Sequence, residues 1–241
     1  ARSEVHLVER AHRLAAVVDH RPQGPQERGS GLRIGQGDRR QIERASLLQG
    51  AEEETQRLAR FVSNLLDLTR LDAGSLTPKS ERVLLPELVH GVLQRMAGPL
   101  DEHPILVKLP SDLPALWLDP ALFEHVLSNL LDNAAKYTPE GSEIEVTAAR
   151  HRFTLTLEVR DRGPGIPADE LGKIFDLFHR VRQGDKARAG TGLGLAIARG
   201  FMQAMGGSIR ARNREDGGAV FEVEFPARLI ASPQSETVDT P

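Results

Sequence analysis

Cysteine is absent from the 241-residue chain. Disulfides, thiolate metal sites and a cysteine nucleophile are therefore excluded, and a reducing compartment is permitted. No apolar run approaches the roughly 18 to 20 residues needed to cross a bilayer, and no charged-then-apolar secretory signal opens the chain. Basic charge is not in excess: 31 Lys and Arg face 34 Asp and Glu, a formal net charge of -3, which argues against a dedicated nucleic-acid binder. No internal repeat of roughly 20 to 50 residues is visible. The first residue is Ala1 and not Met, in keeping with a fragment or a processed chain. The length suffices for one domain with an appendage, or two small domains, with a core that needs no staples.

The pattern changes near residue 46. Val5, Leu7, Val8, Ala11, Leu14, Ala15 and Val18 recur at helical intervals, but residues 20–39 hold Pro22, Pro25 and five glycines and are expected to hold no helix. From Leu47 to Asp72 the stripe Leu48, Ala51, Thr55, Leu58, Val62, Leu65 and Thr69 predicts a helix of about 25 residues with a heptad-like seam. Gly74 supplies its stop. Strands and helices then alternate. Strands are expected at 82–85, 105–109, 115–118, 143–149, 153–160, 207–212 and 219–225. Helices are expected at 86–96, 120–137, 168–175 and 193–205. The pattern divides the chain into an irregular 1–46, a helix over 47–74, an α/β domain over 80–228 and a disordered polar tail over 229–241.

Four local signals lie in one order on the α/β part. Asn129, Asn133 and Lys136 are spaced four and three, so one helical face carries two amide oxygens and an ammonium. Val126, Leu127, Leu130, Leu131 and Ala134 form the opposite, packing face. Asp161, Gly163 and Gly165 follow a strand, where glycines permit close backbone approach and a carboxylate can accept from an exocyclic amine. Phe175 and Phe178 form an aromatic pair. Gly190, Gly192 and Gly194 alternate into a helix start, an arrangement suited to an anion. Neither the GxGxxG fingerprint nor a Walker A ending is present. Arg180, Arg182, Lys186 and Arg188 suit a mobile basic lid over phosphates. Each signal alone is equally compatible with surface polarity, a tight turn, core phenylalanines or a solvated loop.

In this order the four resemble the N, G1, F and G2 boxes of the ATP-binding domain of bacterial sensor histidine kinases, over about residues 82–227. The wording around Asp112 to Pro120 and Asn129 to Pro139 is most similar to the Kdp-type, potassium-responsive kinases. The helix ending at Gly74 resembles the second helix of that family's dimerisation domain. The resemblance implies an α/β two-layer sandwich of the GHKL (Bergerat) type, preceded by a helical hairpin or its remnant. It implies ATP and Mg²⁺ as ligands, with Asn133 and Asn129 at the metal and Lys136 near the phosphates. Tyr137 would flank the nucleotide, Asp161 would take the adenine amine, and Gly163, Gly165 and Ile166 would form the adjoining wall. Thr191, Gly192, Leu193 and Gly194 would form the phosphate-facing turn, with Phe175 and Phe178 anchoring the lid. Relatives that hydrolyse ATP carry a Glu base where Asn129 stands, and an amide takes no proton from water, which favours transfer to an acceptor. A response regulator, a homodimer through 47–74 and a cytoplasmic location are implied by family alone.

One element of that pattern is missing. No segment resembles His-Glu/Asp-Leu-Arg-x-Pro-Leu, the phosphoacceptor motif; His20, followed by Arg21 and Pro22, is the nearest candidate. Either residues 10–46 have diverged, or a reading-frame slip in a GC-rich gene has replaced the motif, which the abrupt return of pattern at Leu47 favours. The alternative to a kinase is a non-catalytic ATP-binding and dimerisation module.

Overall fold

The computed structural model describes residues 36–181 and 191–231. The chain divides into two compact units, 1–60 and 61–241. Helix α1 (Gln36–Asp72) is the described part of the first unit and ends in the second. It starts eleven residues before the Leu47 expected from the apolar stripe, and residues 36–39 belong to it despite Gly37. No proline falls between Pro25 and Pro78. The sequence before Leu47 carries no apolar stripe, so periodicity alone misses the helix start. The resumption at Leu47, which suggested a frame slip, is therefore not a structural boundary. Gly74 ends the helix at φ +58. Its N–H donates to Leu71 O (3.1 Å) and that of Ser75 to Arg70 O (3.2 Å), the paired bonds of a Schellman stop.

The second unit is two-layered. In chain order it comprises β1 (Glu81–Val83), α2 (Leu85–Arg95), β2 (Ile105–Lys108), β3 (Leu116–Leu118), α3 (Pro120–Tyr137), β4 (Ile144–Arg150) and β5 (Thr154–Arg160). Then come α4 (Gly194–Met205), β6 (Ser208–Asn213), β7 (Ala219–Pro226) and a 3₁₀ turn at Ala227–Leu229. Five strands form one mixed sheet in the order β2-β4-β5-β7-β6, and β1 pairs with β3 separately. The β2–β4 pairing is parallel and the rest of the sheet antiparallel. The α/β sandwich expected from the sequence is thus present.

Helix α3 forms where sequence logic places it. Pro120 occupies the first turn, and Asp119 caps it by accepting from Leu122 N–H at 3.2 Å. The second Asp119 oxygen accepts from Lys79 N–H at 2.8 Å, which ties down the irregular segment leading to β1. Val126, Leu127, Leu130, Leu131 and Ala134 are fully buried. They pack with Phe123, Phe201, Phe221 and Phe225 in one core, where the Phe123 and Phe225 rings lie 5.5 Å apart. Each such side chain contributes about 1.5–3 kcal/mol by leaving water, so the apolar face of α3 anchors the polar face opposite. Across the sheet runs an ionic ladder: Lys108 to Glu145 (2.6 Å), Glu145 to Arg160 (3.4 Å), Arg160 to Glu158 (2.5 Å) and Glu158 to Arg212 (2.9 Å).

Two further expectations are corrected. Residues 168–178 form consecutive hydrogen-bonded turns, not a helix: Glu170 and Leu171 N–H both donate to Pro167 O, and Asp176 N–H donates to Lys173 O. The segment is too short, and broken by Gly172, to propagate helical bonds. Residues 229–231 are not part of a loose tail. Leu229 and Ala231 are buried, Ile230 bridges Leu116, and Ala231 N–H donates to Ala115 O at 2.8 Å. The expected 1–35 region with His20, most of the basic loop and the tail from 232 lie outside the described residues.

Candidate functional site

Three segments meet at the polar side of α3. Asn129, Asn133 and Lys136 stand on one face of that helix, each partly exposed. Lys136 forms an ion pair with Asp132 one turn earlier. Asn133 makes no side-chain hydrogen bond among the described residues, and the amide nitrogen of Asn129 is buried with no partner. A buried, unpaired amide lacks a partner that a ligand or water would supply.

The second segment leaves the end of β5. Asp161 is 3% exposed. Its Oδ1 accepts from Gly163 N–H at 2.8 Å and from Ala219 N–H at 3.0 Å. Burial pushes the carboxyl above its ordinary value, opposed by those two bonds and by Arg214. Gly163 has no room for a side chain, since a Cβ there would lie 2.7 Å from Tyr137 O. The turn after Asp161 is thereby pressed against the last residue of α3.

Gly165 adopts φ +75, and Ile166 is held by an amide clamp. Asn213 Oδ1 accepts from Ile166 N–H at 2.8 Å while its Nδ2 donates to Ile166 O at 2.7 Å. Sequence reasoning missed Asn213. Its signal is an amide side chain at the end of β6 beside a glycine-rich hairpin, a signal too weak to read without the strand register.

The third segment closes on the start of α4. Phe178 N–H donates to Gly192 O at 3.0 Å, with Phe178 at φ +61 and Gly192 at φ +71. Thr191 Oγ1 accepts from Leu193 N–H at 3.3 Å. Leu193 is buried and provides no side-chain cap, so the first N–H groups of α4 lack that partner. Gly194 lies directly against Asn129. The aromatic pair splits: Phe175 is buried beneath Arg199, 5.5 Å from its ring, whereas Phe178 is exposed.

The structure therefore brings Asn129 to Gly194, Tyr137 to Gly163, and Phe178 to Gly192. Lys136, on the same face of α3, is paired with Asp132. No cluster of three or more His, Cys, Asp or Glu able to hold a metal exists among the described residues. The chemistry on offer is a buried carboxylate, amide oxygens and backbone N–H groups at a helix start, which together suit a polyanion with an amine-bearing ring.

Residues 118–229 match the family described as "Histidine kinase-, DNA gyrase B-, and HSP90-like ATPase", so this sandwich is an ATPase-type domain of that family. Within it the chain belongs with the sensor histidine kinases and carries their catalytic region. Its relatives include the sensor protein KdpD of Clostridium acetobutylicum, 39% identical over 186 residues, which are 76% of this chain and 20% of that protein. KdpD of Escherichia coli is 43% identical over 167 residues, 69% of this chain and 18% of that protein. The chain thus spans about a fifth of the length of these relatives. Among solved structures, the catalytic domain of histidine kinase ThkA is 29% identical with a TM-score of 0.55. That match covers 62% of this chain and 96% of ThkA's domain. Full-length ShkA in complex with AMPPNP has a TM-score of 0.67 at 23% identity, over 94% of this chain and 46% of ShkA, a likeness of fold. Among the described residues, no helix is long and apolar enough to cross a membrane.

Proposed function

We propose that this region binds Mg·ATP and transfers the γ-phosphoryl group to a histidine of a dimerisation hairpin, from which it passes to an aspartate of a response regulator. The observation that carries the reading is the meeting of Asn129, with its buried unpaired amide, and Gly194 at the uncapped start of α4. Around that contact each residue has a definite task. Asp161 has both backbone donors on Oδ1, leaving Oδ2 to accept the adenine amine. Gly163, Gly165 and Ile166 wall the ring, with Ile166 immobilised by Asn213, and Tyr137 flanks it. The N–H groups of Gly192 and Gly194 face phosphate oxygens, and Thr191 shapes the turn by holding the Leu193 N–H.

The residues fit Mg²⁺, a hard cation bound by few protein oxygens together with phosphates and water. Asn133 and Asn129 would hold it, and the ion would neutralise phosphate charge. The protein's own donors at this point are amides and not a carboxylate cluster, so the nucleotide supplies the remaining ligands. Asn129 does not serve as a base toward water, which favours transfer over hydrolysis. The exposed apolar residues Leu47, Leu48, Leu58, Val62, Leu65 and Leu66 of α1 support pairing with a second copy through 47–74. The same reading puts this region on the cytoplasmic side of a longer, membrane-anchored chain.

A second reading, a non-catalytic ATP-binding and dimerisation module, is favoured by the missing acceptor motif. The deciding experiment incubates the purified chain with γ-labelled Mg·ATP, alone and with an intact dimerisation hairpin added. Acid-labile label on the chain assigns an acceptor such as His20. Label on the added hairpin alone assigns a competent catalytic domain with a broken acceptor. ATP binding without label supports the module, and Asn133→Ala with unchanged Mg·ATP affinity by titration calorimetry sinks the metal assignment.

A further inference from the structure

The last turns of α1 are joined to α3 and α4 by two contacts inside the second unit, one from Asp67 and one from Leu71. Asp67 is buried, and its Oδ2 lies 3.5 Å from His125 Nδ1 with no hydrogen-bond partner. Arg70 lies 3.9 Å from the other carboxylate oxygen. The His125 ring lies tilted against that of Phe201 of α4, centroids 5.7 Å apart. Leu71 presses on Gly200 of α4, where a Cβ would meet Leu71 Cδ1 at 2.7 Å.

These contacts reach the two helices that bracket the site. His125, Asn129 and Asn133 follow one another at four-residue spacing, so they share one stripe of α3. Gly200 and Phe201 belong to the helix whose first residue, Gly194, abuts Asn129. A displacement of the α1 end changes the packing of α4 on α3, and the Asn129–Gly194 contact has no slack to absorb it. A buried carboxylate oxygen without a partner is unfavourable. The Asp67–His125 pair therefore gains by closing, and small movements of α1 change its energy.

We infer that Asp67 and His125 are positioning residues that couple the end of α1 to the nucleotide-facing stripe of α3. The inference rests on the Mg·ATP reading above. Coupling of this kind is reciprocal: if α1 sets nucleotide affinity, nucleotide sets the order of α1.

The test uses the whole chain, with Mg·ATP affinity by titration calorimetry and amide exchange over 64–72 with and without Mg·ATP. His125→Ala and Asp67→Ala are each expected to weaken binding about five-fold or more. The double variant should be no weaker than either single one. His125→Gln, which keeps a donor, should stay within about two-fold of the parent. Nucleotide should alter exchange over 64–72 in the parent and not in His125→Ala. If His125→Ala fails to fold, as judged by its thermal transition, Asp67→Asn and His125→Gln carry the comparison. Parent protein that binds Mg·ATP with unchanged exchange over 64–72, or Asp67→Ala and His125→Ala with parent-like or additive affinities, overturns the coupling. Parent protein that does not bind Mg·ATP overturns the nucleotide reading itself, and the coupling falls with it.

Discussion

Asn129 Oδ1 occupies the space into which a side chain on Gly194 would grow, 2.8 Å from the position of its Cβ. Helix α3 and the start of α4 are thereby fitted to each other at one amide. Gly194→Ala should push that amide aside while gaining about 1 kcal/mol of helix propensity. The expected result is a thermal transition close to that of the parent, with Mg·ATP affinity reduced by about ten-fold or more, read by calorimetry.

Asp161 links stability and binding with opposite signs. Burial raises its carboxyl above the ordinary 3.8. A carboxyl whose folded value exceeds its unfolded value holds its proton more tightly when folded. Stability therefore falls as pH rises from the unfolded value through the folded one, and the deficit is complete above it. Asp161→Asn keeps an oxygen for Gly163 and Ala219 N–H but removes the charge. Its Tm should exceed the parent's at pH 7 and converge with it at acid pH, while ATP affinity falls. A lower Tm at neutral pH would refute the burial argument.

Glu145 behaves in the contrary way. The hydrogen bond from Lys108, aided by Arg160, holds its carboxyl below the ordinary 4.5. Its contribution is present above the unfolded value and is lost as pH falls through the folded one. Glu145→Gln should lower stability by about 1–2 kcal/mol at neutral pH. Denaturant melts should show that gap closing as pH falls below the ordinary carboxylate range.

Gly218 sits at φ +98, and a Cβ there would lie 2.1 Å from Asp161 O. The neighbour is backbone and has nowhere to move. Gly218→Ala should lose about 3 kcal/mol or more of stability through combined strain and overlap, measured by equilibrium unfolding. Gly217→Ala should lose less, since nothing lies within 4 Å of a Cβ at that neighbouring residue.

Much of this was legible in the residues themselves. The bounds of α3 match expectation because Asp119, Pro120 and an apolar face all point to one answer. The hairpins were readable from alternation, and the β6–β7 turn also from Gly217 and Gly218. The beginning of α1 was not, because a helix without an apolar face leaves no periodic trace. Phe175 and Phe178 share a motif but not an environment, since the chain turns to φ +61 between burial and exposure. Asn213 and His125 act through partners 47 and 58 positions away, Ile166 and Asp67. Such pairings exist only once the sheet order and the helix packing are set.

The parallel pairing of β2 with β4 also sets an order of assembly. It joins Ile105 to Ile144 and so closes a long loop that contains all of α3. The β4–β5 and β6–β7 hairpins close locally, so their loop entropy is small by comparison. Pulse-labelled refolding should therefore protect β6 and β7 amides before those of β2. Asn129 and Asn133 lie within the late-closing loop, so the polar face of α3 reaches its place after the hairpins have formed.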